Sequence, residues 1–144
     1  MTVAVSIATE GVRLPVARTR IDALVRSVLR AERVSEALVS VAFVSSTTMA
    51  RLNRQHLGHR GATDVISFAF NGAHGAPRIG DIYISPDVAR RNAREWGVGV
   101  REELARLVVH GVLHVLGYDH PSGDARTKSP MWRRQETLLG RFVG

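Results

Sequence analysis

The spacing of hydrophobic positions changes several times along the chain, and each change marks an element. Val3 to Ile7 alternates small and branched apolar residues, the period of a strand. After Pro15, the residues Ile21, Leu24, Val25, Val28 and Leu29 share one face of a helix that should end near Arg33. Ala37 to Val44 is a β-branched run that predicts a buried strand. Ser45, Ser46 and Thr47 then offer N-caps for a short helix over Met49 to His56. His59 to Ala62 reads as a turn. Alternation returns over Asp64 to Phe70 and again over Gly80 to Ser85, with a flexible connection from Asn71 to Pro77 between them, which predicts a hairpin.

The remainder reads as helical. Ser85-Pro86 is a helix start with proline at the first position, and the helix runs to Trp96, closed by Gly97 and Gly99. The next spans about Arg101 to Leu116, with Glu102 and Glu103 at its positive end. Its apolar set, Leu104, Leu107, Val108, Val112, Leu113, Val115 and Leu116, is wide enough for a largely buried helix, and Gly117 stops it. Pro130, Met131, Leu138, Leu139 and Phe142 suggest a last helix over Ser129 to Phe142. No repeat, low-complexity tract or linker interrupts the pattern, so residues 1–144 are expected to form a single domain.

Composition narrows the chemistry. With 44% hydrophobic and 23% charged residues, the chain resembles ordinary globular domains and not disordered ones. The absence of cysteine leaves no disulfide-linked partner and no thiolate site, so a transition metal would need histidine or carboxylate ligands. No window approaches the ~20 apolar residues of a membrane span, and the N-terminus lacks a basic start followed by a long apolar stretch. A cytoplasmic protein is expected. The net charge is +7, and Lys128 is the single lysine among 20 basic residues. Arginine's planar fork suits a polyanion such as RNA, although a merely solvated basic surface accounts for the excess equally well.

The candidate chemistry lies in His110-Gly111-Val112-Leu113-His114-Val115-Leu116-Gly117-Tyr118-Asp119-His120. Histidines four apart are neighbours on one helix face, about 5–6 Å between Cβ atoms, and both imidazoles can address one ion. Gly117 can turn the chain back so that His120 becomes the third ligand. Catalytic zinc usually takes three protein ligands and keeps a fourth position for water. The spacing matches the zinc-protease pattern H-E-x-x-H-x-x-G-x-x-H, except that Gly111 stands where that pattern has its general-base glutamate. One Zn2+ per chain on His110, His114 and His120 is therefore expected, with no protein base assigned.

The same segment resembles the H-G-x-L-H-L-x-G-Y-D-H signature of the YbeY family of bacterial endoribonucleases, the rRNA maturation factors. Thr63 to Phe68 is similar to that family's T-D-V-L-S-F strand, and Gly80 to Ser85 to its G-D-I-x-I-S strand. The resemblance is close over about Leu52 to His120 and loose elsewhere. It implies a single-domain α+β fold with a small mixed sheet of four strands packed with about five helices and a metzincin-like zinc site. It also implies cleavage of single-stranded RNA during processing of small-subunit ribosomal RNA, with RNA and the small ribosomal subunit as partners. The family's three ligands map onto His110, His114 and His120. Many members carry Tyr-Arg after the asparagine matching Asn53 and later an Asp and a Pro; here His56-Leu57, Arg60 and Ala62 stand there, so the phosphate contact that the resemblance implies from position 57 is missing, with Arg54 and Arg60 as candidate replacements.

Several other residues read as structural. Asp119 is expected to be a turn residue and Asp64 a cap or structural carboxylate, ahead of roles in orienting an imidazole or moving a proton. His56, His59 and His74 are expected to be exposed, Met131 to lie in the core, and Trp96 and Trp132 to pack at helix ends. Three functions fit this reading. The first is a zinc-dependent endoribonuclease whose attacking group is a zinc-bound water or the substrate's own 2′-hydroxyl. The second is a metal-dependent peptidase, opposed by Gly111. The third is a non-catalytic ribosome-assembly factor with a structural zinc.

Overall fold

The computed structural model describes residues 2–58, 61–70, 76–120 and 123–143. In chain order it contains β1 (Val3–Glu10), α1 (Arg18–Ala31), β2 (Ala37–Val44), α2 (Ser46–Leu57), β3 (Val65–Ala69), β4 (Arg78–Ile84), α3 (Pro86–Trp96), α4 (Val100–Val115), a 3-10 helix (Gly123–Lys128) and α5 (Pro130–Val143). The four strands form one mixed sheet in the order β1-β2-β4-β3. β1, β2 and β4 are mutually parallel, and β3 runs antiparallel to β4 as the expected hairpin, with Ser67 opposite Ile82 and Ala69 opposite Gly80. The α+β class, the four strands and the five helices agree with the sequence reading.

Most elements form where the pattern places them. β2 has the predicted bounds, and α2 begins after Ser45, whose hydroxyl accepts from the Thr48 N–H. β1 extends beyond Ile7 to Glu10 because β2 supplies a parallel partner as far as Val44. α1 stops at Ala31, two residues before the expected end, and Arg33 takes a left-handed φ of 59° to leave the helix. The 3-10 helix lies within a stretch whose polar composition carried no periodic signal.

The core lies between the sheet and the layer formed by α1, α4 and α5. α4 is its centre: Leu104, Val108, Val109, Val112, Leu113 and Val115 are essentially inaccessible. Two glycines let this helix lie directly on β4. A Cβ at Gly111 would stand 2.6 Å from Ile82 Cγ2, and one at Gly80 would stand 2.4 Å from Val115 Cγ2, both inside van der Waals contact. The helix that carries two of the histidines is thereby fixed against the middle of the sheet.

Candidate metal centre

α4 ends in a Schellman turn that brings the third histidine to the other two. Gly117 adopts a φ of 101°, which only glycine takes without strain, while its N–H donates to the His114 carbonyl and the Tyr118 N–H to the Leu113 carbonyl. The returning segment is tied down at Tyr118, whose hydroxyl donates to Glu32 Oε1 at 2.5 Å, and Glu32 is held in turn by Arg134 at 2.7 Å. His120 follows two residues later.

The three imidazoles converge. Ring centroids are 4.6 Å apart for His110 and His114, 5.1 Å for His110 and His120, and 5.0 Å for His114 and His120. Their ligand atoms lie within 4.8 Å of one another, a grouping that could hold a metal ion. Hydrogen bonds fix which nitrogens face inward. His114 Nδ1 lies 2.9 Å from the Tyr118 carbonyl oxygen, which can only accept, so Nδ1 carries the proton. His110 Nδ1 lies 2.7 Å from Gln135 Oε1, and the amide is oriented by its other end, where Nε2 donates to Glu136 Oε2 at 3.0 Å. Both rings therefore leave Nε2 as the free lone pair, with the other nitrogen fixed by an acceptor as in metal-binding histidines.

Electrostatics favour the same state. Burial pushes the His110 imidazolium pKa down from 6.5 to about 3, against the opposing effect of its bond to Gln135. Burial, followed by the neighbouring His120, also lowers that of His114. The rings stay neutral with open lone pairs at neutral pH, and the donor set of three imidazoles suits zinc. Asp119 is exposed, and Asp64 accepts from Asn92 Nδ2 at 3.0 Å.

The histidines open onto a cleft of about 440 Å³ whose lining includes Leu57, Asp64, Ser67, Asp119 and Arg126. A second, larger groove of about 900 Å³ adjoins it, since Gly61 and Ala62 line the groove while Thr63 and Asp64 line the cleft. Arg51, Arg54 and Arg91 line that groove. Arg54 thus faces the groove and not the histidine cleft, and Arg60, like His59 and His74, falls outside the described residues. His56 is exposed as expected, its ring edge against Phe68. Met131 is 1% exposed and belongs to the core.

Trp96 corrects an expectation, being 73% exposed and not packed at its helix end. The buried face of α3 consists of Pro86, Val88, Ala89 and Ala93, so an indole in the last turn stands beyond it. Trp132 is half-buried beneath the Arg126 guanidinium, whose Cζ lies 5.9 Å from the ring centroid. Three residues of the site were missed by sequence reasoning: Gln135, Ser67 and Arg126. Gln135 left a signal as a polar residue within the apolar stripe Met131, Leu138 and Leu139 of the last helix, and Ser67 as the serine of the stretch similar to T-D-V-L-S-F; Arg126 left none.

Comparison with known proteins finds matches over nearly the whole chain. The family model described as endoribonuclease YbeY matches residues 6–143. An endoribonuclease YbeY of Frankia alni is 39% identical, over 94% of this chain and 81% of the relative. One from Bacillus licheniformis is 36% identical, over 99% of this chain and 96% of the relative. Among solved structures, the solution structure of TM1509 from Thermotoga maritima superposes with a TM-score of 0.65 at 28% identity, covering 97% of this chain and 89% of that one.

Proposed function

Given that the chain belongs to the endoribonuclease YbeY family, we propose that it is a zinc-dependent, single-strand-specific endoribonuclease acting in maturation of small-subunit ribosomal RNA. Family membership supplies the reaction class, a hydrolytic nuclease with RNA as substrate. The observation that carries the zinc reading is the convergence of three imidazoles, two of them with Nδ1 engaged by Gln135 and the Tyr118 carbonyl so that Nε2 is left as the lone pair. In this reading residues 1–144 act as one domain in the cytoplasm, and His110, His114 and His120 hold one zinc.

Zinc bound there supplies Lewis-acid chemistry, withdrawing electron density from a phosphoryl oxygen or from water. The chain's own part is positional. Gln135 and the Tyr118 carbonyl keep the imidazoles in one tautomer, and the packing of α4 on β4 keeps them from drifting. Arg51, Arg54 and Arg91 in the adjoining groove suit an RNA backbone leading toward the histidines.

The peptidase reading has a structural obstacle. Gly111, the position of the protease glutamate, abuts Ile82 on the sheet and has no room for a side chain. The structural-zinc reading is opposed by ligand count, since the group holds three residues among those described and opens onto a cleft, whereas structural sites are closed by four. Incubating the zinc-loaded chain with ribosomal RNA and with casein separates the three readings. RNA cleavage alone supports the proposal, casein cleavage supports the peptidase, and cleavage of neither leaves a binding role.

A further inference from the structure

Two buried side-chain polar atoms among the described residues lack a hydrogen-bond partner, Ser67 Oγ and Arg126 Nε. Both residues line the histidine cleft. Buried polar atoms are nearly always paired, and an unpaired one is costly to keep. The two reach the cleft from unrelated parts of the chain, Ser67 from β3 and Arg126 from the 3-10 helix. Their coincidence at one site is explained if a ligand completes them both.

The chemistry of the pair selects the ligand. An arginine is donor only and permanently charged, and a serine hydroxyl can donate as well as accept. An anion with more than one oxygen matches that donor chemistry. Neither residue is free to drift. Ser67 is held in register opposite Ile82, and the Arg126 backbone carbonyl accepts from both the N–H and the hydroxyl of Ser129, at 3.2 and 2.8 Å. The guanidinium rests over Trp132.

We propose that Arg126 and Ser67 form a phosphate-binding subsite beside the three histidines, gripping the non-bridging oxygens of the phosphodiester to be cut. The inference rests on the nuclease reading and adds to it the residues that hold the scissile phosphate.

Calorimetric titration of the zinc-loaded full chain with inorganic phosphate tests the subsite without relying on turnover. Arg126→Ala should weaken phosphate binding by about tenfold or more, and Ser67→Ala by less. Arg126→Lys, which keeps the charge but loses the fork, should fall between the parent and Arg126→Ala. Zinc content and melting temperature should match the parent in Ser67→Ala and Arg126→Lys, so a folding defect in Arg126→Ala cannot mimic the result. On single-stranded RNA, Arg126→Ala should lose about 100-fold in kcat with a smaller change in KM, because charge builds on the gripped oxygens in the transition state. Phosphate binding equal to the parent's in Arg126→Ala and Ser67→Ala, or no phosphate uptake by the parent, overturns the subsite. If the parent fails to cut RNA while phosphate binding still depends on Arg126, the nuclease reading falls and the subsite stands.

Discussion

Replacing Gln135 with leucine should weaken zinc binding more than it weakens the fold. Gln135 is 1% exposed, so neither water nor another side chain can readily take over its bond to His110 Nδ1. Leucine is close in volume, so packing around α5 changes little. With zinc on Nε2, the His110 proton is locked on Nδ1, and a buried N–H left without an acceptor costs about 1–3 kcal/mol. Without zinc the proton can move to Nε2, which faces the cleft, and part of that cost is relieved. Glu136, which loses the amide donor, keeps Arg106 at 3.0 and 3.1 Å. Loss of a hydrogen bond behind a ligand histidine typically lowers metal affinity about 10–100-fold, or about 1.4–2.8 kcal/mol at ~1.4 per decade. The two estimates agree. Competition of the metal-free protein against a fluorescent zinc chelator, alongside thermal unfolding of both metal-free forms, measures the partition. The expected result is that drop in affinity with metal-free melting temperatures a few degrees apart. Affinity within about twofold of the parent would refute the tautomer argument.

Three further outcomes follow from the same structure. Gly111→Ala should destabilise the chain, because overpacking against Ile82 at about 1–3 kcal/mol outweighs the ~1 kcal/mol that alanine returns in helix propensity; a raised melting temperature would contradict the close approach of α4 to β4. In the metal-free protein His110 stays neutral down to about 3, whereas the unfolded chain takes up that proton below 6.5, so protons favour unfolding within this window. Denaturant titrations should therefore show this contribution intact above pH 6.5 and progressively lost toward pH 3, with the loss diminished in His110→Gln. Binding of single-stranded RNA should weaken steeply with salt, by a slope of about −0.7 per phosphate neutralised; a flat plot would reduce the +7 charge to mere composition.

What the sequence revealed depended on how local the information was. Ala37–Val44 was legible to the residue because its β-branched run meets a serine cap directly. The three histidines were legible because a helical turn and one glycine set their approach, both properties of eleven consecutive residues. The parallel alignment of β1, β2 and β4 was not, since it rests on pairings between distant segments that no short window contains. Gln135 meets His110 across two helices, and Ser67 and Arg126 line one cleft from the sheet and the 3-10 helix. Arg33, adopting the left-handed turn that glycine normally marks, hid the true end of α1.

The central claim is that zinc on His110, His114 and His120 drives cleavage of single-stranded RNA. It is tested most directly by measuring zinc content and RNA cleavage together in the parent and in His114→Ala. The account predicts about one zinc per parent chain, cleavage that is lost on chelation and restored by zinc, and a His114→Ala variant that stays folded on its buried core but cuts nothing. Cleavage by His114→Ala at the parent's rate, or by the parent with no bound metal, would contradict it.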